Sequence, residues 1–173
     1  MERDGTFSLS GVVAGRWCLR VENAQGYVKS LSVAGQEVRG CAFSVFPGAG
    51  GAMRAVISTK LASVEGTVSG VTPQQPNSVL LILASEESDA QGQPRTVRAG
   101  ADGHFSISGI EPGRYHLYAA GGVEATALQQ NPRVLKALEG RATRVDLEAG
   151  GRSTVQPALI PGEEIAQEFQ QVE

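Results

Sequence analysis

Cysteine, histidine and aromatic residues are all scarce in this chain, and their scarcity removes whole classes of chemistry. Two cysteines, Cys18 and Cys41, are too few for a disulfide scaffold and wrong in number and spacing for a thiolate zinc site. The two histidines, His104 and His116, have no Glu three residues further on, so no His-x-x-Glu ligand set exists. There is no excess of positive charge. Fifteen Lys and Arg against 18 Asp and Glu leave a net charge of -3, which argues against nucleic acid or an anionic membrane surface as a partner. No apolar run approaches the roughly 20 residues needed to cross a bilayer. "MERDGTFSLS" lacks the basic start and apolar core of a secretory signal.

What the chain does have is glycine and repetition. Its 173 residues are 41% hydrophobic and 19% charged, the balance of a chain that buries a core. The 22 glycines suit a fold with many tight turns. "DGTFSLSGVVAGRWCLRV" (4–21) and "DGHFSISGIEPGRYHLYA" (102–119) lie 98 residues apart and share nine of eighteen positions. A spacing near 100 residues is that of a β-sandwich and far above that of a solenoid unit. The expectation is therefore two tandem domains.

The repeated unit can be derived residue by residue. Asp102 and Gly103 supply a tight turn. Phe105 and Ile107 alternate with His104, Ser106 and Ser108, as in a strand with one buried face. Gly109, Pro112 and Gly113 reverse the chain, proline presetting φ and glycine free to take a positive one. Tyr115, Leu117 and Ala119 then form the inner side of a second strand. Read as a hairpin, the unit pairs Phe105 with Leu117 and Ile107 with Tyr115 on one face. The first copy obeys the same rule, with Phe7 opposite Leu19 and Leu9 opposite Trp17.

Further strands are expected at 62–69, 78–85, 95–100, 141–148 and 152–160. "SVLLILAS" (78–85) is apolar on both faces and so central. "RATRVDLE" (141–148) buries Val145 and Leu147. Pro157 places the last strand at an edge or a bulge. "NPRVLKALEG" breaks the β rhythm: Asn131 as N-cap, Pro132 at the first helical position and Gly140 as the stop predict a short helix near 132–139, with Val134, Leu135 and Leu138 as its apolar stripe. Residues 161–173 read as an acidic tail. The alternative there is a docking helix, because Ile165, Phe169 and Val172 recur at i, i+4 and i+7.

The fold class is thus all-β: tandem immunoglobulin- or transthyretin-like sandwiches, the first N-terminally incomplete, with one short helix. Residues 1–61 hold the C-terminal part of a first sandwich (27–35, 41–46 and 53–60 as strands), 62–160 a complete one, and 161–173 the tail. About 38 residues precede the Asp-Gly turn in the second unit and three in the first. The leading expectation is that the chain is the tail of a longer protein. The alternatives are completion of the half-sandwich by a strand from a partner or a second copy, and packing of both units as one composite domain.

"DGHFSISGIEPGRYHLYA" and "VEGTVSG" resemble the carboxypeptidase regulatory-like domains, transthyretin-like sandwiches found in tandem in bacterial envelope and secreted proteins. The pattern is matched closely at 102–117. It is looser at 4–19, where Ala14 stands for the proline and Trp17 for the tyrosine. The resemblance implies an extracellular, periplasmic or envelope setting and an accessory role. It does not extend to the hydroxyisourate hydrolases of the same fold, which end in Tyr-Arg-Gly-Ser where this chain ends "AQEFQQVE".

The functional expectation is a non-catalytic spacer or protein–protein interaction module, with self-association through sheet edges as one mode. No catalytic residue, cofactor or metal is expected. The motif residues Asp102, Gly103, Phe105, Ile107, Gly109, Pro112, Gly113, Tyr115 and Leu117 serve the structure. His104 and His116 read as solvated, and Asp4 and Asp102 as turn formers, since calcium wants six to eight oxygens. Cys18 faces outward while Cys41 shares parity with the inward Phe43 and Val45, an arrangement awkward for a disulfide, so the two are expected to stay apart. A carbohydrate-binding module is the alternative function; it needs an exposed aromatic platform, for which Tyr118 and Tyr27 are the candidates.

Overall fold

The computed structural model describes residues 6–21, 26–38, 41–48, 50–71, 79–86, 94–122, 127–128 and 130–172. The architecture is all-β, and the chain divides into two compact units, 1–58 and 59–173. The first contains β1 (Gly15–Cys18), β2 (Tyr27–Val33), β3 (Gln36–Val38), β4 (Ala42–Val45) and β5 (Met53–Ser58). These make two small sheets: β1 pairs antiparallel with β4, and β2 lies between β3 and β5. The β2–β3 hairpin turns through Ala34 and Gly35, both at positive φ, as a two-residue loop matching strand twist requires.

The second unit is a layered sandwich. Its strands are β6 (Ala62–Thr67), β7 (Val79–Ser85), β8 (Arg95–Arg98), β9 (His104–Ile110), β10 (Gly113–Gly121), β11 (Thr143–Leu147), β12 (Arg152–Val155) and β13 (Leu159–Ile160). One sheet runs β12-β6-β9. The other runs β11-β10-β7-β8, with β13 joined in parallel to β10. Between them lie Val64, Phe105 and Ile107 from one side and Leu81, Leu83, Leu117, Val145 and Leu147 from the other. A helical layer covers the far face of the second sheet. Helix α1 (Pro132–Ala137), the 3-10 turn Leu138–Arg141 and α2 (Gly162–Val172) press Val134, Leu135, Leu138 and Ile165 onto Leu80, Ile82, Tyr118 and Ala120. β7 is apolar on both faces because it belongs to the middle layer.

The motif at 102–119 is not a hairpin. β9 pairs with β6, Ile107 opposite Val64 and Phe105 opposite Gly66, whereas β10 pairs with β7 and β11. The segment between them is an arch that carries the chain from one sheet to the other. Phe105 and Leu117 are both buried in the same core, but they face each other across the sandwich. Alternation of apolar residues is the same for a hairpin and an arch, because in both cases one side of each strand points inward. The first copy departs further. Residues 6–14 form no strand, and Trp17 of β1 lies opposite Phe43 rather than Leu9. Asp4, the turn residue of that copy, lies outside the described residues.

Two other segments resolve differently from the sequence expectation. The stretch 152–160 is two strands in different sheets, with the buried Pro157 at the crossing. The Ser69 N–H donates to the Pro157 carbonyl at 2.9 Å, and the Leu159 N–H donates to the Ser69 carbonyl at 3.0 Å. Residues 162–172 are helical, the alternative reading of that segment, rather than a disordered acidic tail. Glu163 and Glu164 occupy the first turn, where the helix dipole favours them, and Ile165 is fully buried. Arg141 and Glu164, 2.8 Å apart, tie the 3-10 turn to α2. The helix at 132–137 starts as expected: the Asn131 side chain accepts a hydrogen bond from the Val134 N–H at 3.3 Å.

Candidate functional site

The nine motif residues divide between turn and core. The Asp102 carboxylate accepts from the His104 N–H at 3.0 Å, and the Gly103 N–H donates to the Gly100 carbonyl at 2.9 Å, a side-chain-supported turn. Gly109 and Gly113 take φ of 70° and 154°, conformations open to glycine and costly for other residues. The Tyr115 hydroxyl donates to the Glu111 carbonyl at 2.8 Å and so pins the arch that contains Pro112. Phe105, Ile107 and Leu117 are buried.

His116 is not the solvated residue that the sequence suggested. It does lie on the side of β10 away from the sandwich interior, but the helical layer covers that side and leaves it 8% exposed. Its Nε2 sits 3.3 Å from Glu86 Oε1 and 3.8 Å from Glu139 Oε1, yet neither carboxylate is aligned as a hydrogen-bond partner. Arg114 approaches Glu86 from the surface at 3.6 Å. His104 is exposed on β9, in the other sheet, so the two histidines do not share a site. Among the described residues, no group of three or more His, Cys, Asp or Glu is arranged to hold a metal ion, and no helix is long and apolar enough to cross a membrane.

Tyr118, the first candidate for a sugar-stacking platform, is 4% exposed and unavailable for stacking. Burial, with a smaller contribution from Glu139, pushes its hydroxyl from 10.0 up to about 12. The folded state therefore favours the neutral phenol. That stability is fully present below pH 10 and lost as pH rises towards 12. Tyr118→Phe is expected to abolish this alkaline sensitivity, as read from urea midpoints measured on either side of pH 10.

The first unit carries the exposed apolar surface. Phe7, Leu9, Val12, Val13, Trp17, Phe46, Val56 and Ile57 are all exposed, and every large exposed apolar side chain among the described residues belongs to this unit. Apolar residues of both sheets and their flanking segments, among them Phe7, Leu9, Val12, Phe43, Val45 and Phe46, line a cleft of about 770 Å3 within this unit.

Cys18 and Cys41 form a disulfide, with Cα atoms 4.7 Å apart. Sequence parity set them on opposite faces, but Cys41 precedes β4 and is not bound by that strand's alternation. The Leu19 N–H donates to the Cys41 carbonyl at 3.0 Å and brings the two strand ends together. The bridge closes a separation of 23 residues, for which loss of chain entropy contributes about 3 kcal/mol. Reduction is expected to lower the unfolding midpoint reported by the sole tryptophan, Trp17, and to leave the tyrosine signal of the second unit in place.

At the arch the two units share glycine conformations and an anchoring side-chain hydrogen bond. Gly11 and Gly15 have φ of 71° and 155°, against 70° and 154° at Gly109 and Gly113. Trp17 Nε1 donates to the Val13 carbonyl at 2.9 Å, as the Tyr115 hydroxyl does to Glu111. Gly15 and Trp17 face Val45 and Phe43 on β4, just as Gly113 and Tyr115 face Leu147 and Val145 on β11. β4 is therefore the counterpart of β11.

No family model matches the chain, and no curated protein sequence matches it. Solved structures with some similarity include a DUF3823 family protein from Parabacteroides merdae (TM-score 0.37, 21% identity, covering 57% of this chain and 45% of that one). Others are the minor pilin of Streptococcus agalactiae (0.39, 18%, 78% and 56%) and the major pilin subunit of Bacillus cereus (0.34, 14%, 65% and 33%). The chain spans less than two thirds of each. At such scores none of them assigns a partner, an activity or a location to this chain.

Proposed function

We propose that this chain is a non-catalytic β-sandwich accessory module of the carboxypeptidase regulatory-like kind, serving as a spacer and protein-interaction domain of an extracellular or envelope protein. In this reading residues 1–61 are the later part of a first sandwich and 62–160 a complete second one. The observation that carries it is the segregation of apolar surface. The second unit covers both faces of its central sheet internally, while the first leaves Phe7, Leu9, Trp17 and Phe46 open to water. Contiguous exposed apolar surface of this kind marks sites of association. The Cys18–Cys41 disulfide supports an oxidising compartment.

Binding of an environment-sensitive apolar dye to the full chain tests the reading. Strong fluorescence that falls in a Phe7→Ser, Phe46→Ser double variant is the expected result. Absence of dye binding by the wild-type chain would show this surface to be covered and would overturn the proposal.

A further inference from the structure

The helical layer of the second unit covers a buried nitrogen that lacks a hydrogen-bond partner. His116 lies on the face of β10 turned towards that layer and is 8% exposed. Among the described residues, nothing is aligned to share a hydrogen bond with its Nε2. A buried polar atom in this state costs free energy, and native folds hold few of them. Two carboxylates from separate segments stand beside it. Glu86 Oε1, just past the end of β7, is 3.3 Å away, and Glu139 Oε1, in the 3-10 turn, is 3.8 Å away.

The other groups around the ring define the charge that it meets. Arg114 reaches the second oxygen of Glu86, Oε2, from the surface at 3.6 Å. Arg144, opposite His116 on β11, is exposed, and Ala84, opposite it on β7, carries no charge. Tyr118 meets the imidazole edge-on, with ring centroids 6.4 Å apart. Its hydroxyl, pushed up to about 12, is neutral wherever histidines titrate. In the helical layer, Arg133 and Lys136 of α1 are exposed, and Arg141 engages Glu164 of α2.

We infer that His116 is a proton-operated clasp between the sheet and its helical cover. A proton taken from solvent leaves the ring a cation with an N–H at both nitrogens. Nε2 then donates a charge-assisted hydrogen bond to Glu86 and attracts Glu139. Glu86 belongs to the sheet side and Glu139 to the cover, so one charge joins the two. The joint is strongest once the imidazole is charged. It is lost as pH rises through the range in which histidines titrate, about 5 to 8. What the clasp guards is the apolar face of Leu80, Ile82 and Tyr118, which the layer keeps from water. The inference concerns the second unit alone and is independent of the first unit's exposed surface.

Amide exchange of the full oxidised chain, measured near pH 5.5 and near pH 8 and corrected for intrinsic rates, is the test. Leu138–Arg141 is expected to be protected roughly tenfold more at the lower pH, the size of one charge-assisted hydrogen bond. β9, in the other sheet, is the reference and is expected to change little. His116→Gln keeps a donor but does not titrate, and it is expected to remove the difference. Glu139→Gln, at a position 44% exposed and so tolerant of change, is expected to cut it to about threefold or less. His104→Gln, on β9, is expected to leave it intact. Equal protection at the two pH values overturns the inference, as does stronger protection at the higher one. A difference that survives His116→Gln assigns the titration to another group and overturns it too. If that variant does not fold, an undiminished difference in Glu139→Gln has the same force. A change of equal size in β9 and the 3-10 turn means global stabilisation without a clasp.

Discussion

Phe105→Ala is expected to destabilise the second unit by about 3–5 kcal/mol, whereas the same replacement at Phe7, in the matching position of the first copy, is expected to change stability by less than about 0.5 kcal/mol. The residue type, the repeat position and the neighbouring Gly-x-Phe-x pattern are the same, so the contrast isolates burial. Phe105 is 2% exposed and packed between the sheets with Val64, Ile107 and Leu117. Truncation removes its transfer free energy and leaves a void that the sheets, held apart by Leu81, Leu83 and Val145, close only in part. Phe7 is 37% exposed on the wall of the cleft, and an alanine there leaves no closed cavity. Urea unfolding followed by amide exchange in β7 and β10 for the second unit and by Trp17 fluorescence for the first separates the two effects. A loss at Phe7 as large as that at Phe105 would mean that the first unit closes its cleft in solution.

The inward residues of this fold are legible in the sequence, and their partners are not. Phe105, Ile107, Leu117, Val145 and Leu147 follow from period-two alternation alone, and all are buried. Which strand each one faces depends on whether Gly109–Gly113 returns the chain beside itself or carries it to the opposite sheet. Both routes use the same glycines and the same proline. The pairing of β9 with β6, some 40 residues earlier in the chain, has no local signature.

A similar limit governs His116. Its face is readable from alternation. The layer above that face comes from α1, the 3-10 turn and α2, segments that follow it in the chain and whose docking is a property of their apolar stripes. The i, i+4 spacing of Ile165 and Phe169 is the available signal for α2, and Glu163, Glu164 and Glu168 around them make an acidic tail the leading reading. For Cys18 and Cys41, parity failed because it holds within a strand, and Cys41 sits one residue outside β4.

Gly66→Ala is expected to cost about 3 kcal/mol or more, beyond the usual range for adding one methyl to a packed interior. β6 is the middle strand of its sheet, with β9 antiparallel on one side and β12 parallel on the other, so that Gly66 lies beside both Phe105 and Val155. A Cβ at this position runs into the Val155 carbonyl oxygen. That obstacle is backbone, so no rotamer change relieves it, and β12 has to move off the sheet. Alanine also narrows the unfolded ensemble, which favours folding by about 0.4–1 kcal/mol, too little to offset the displaced strand. The effect should be local: amide exchange is expected to accelerate at Ser153–Val155 before it does in β7 or β10. Trimming the other neighbour with Phe105→Leu is expected to give no rescue, because the aromatic ring, 3.2 Å from the added carbon, is the softer contact. Wild-type stability in Gly66→Ala would show that β12 does not run alongside β6 in this register. The sheet that buries Phe105 would then be two strands wide rather than three.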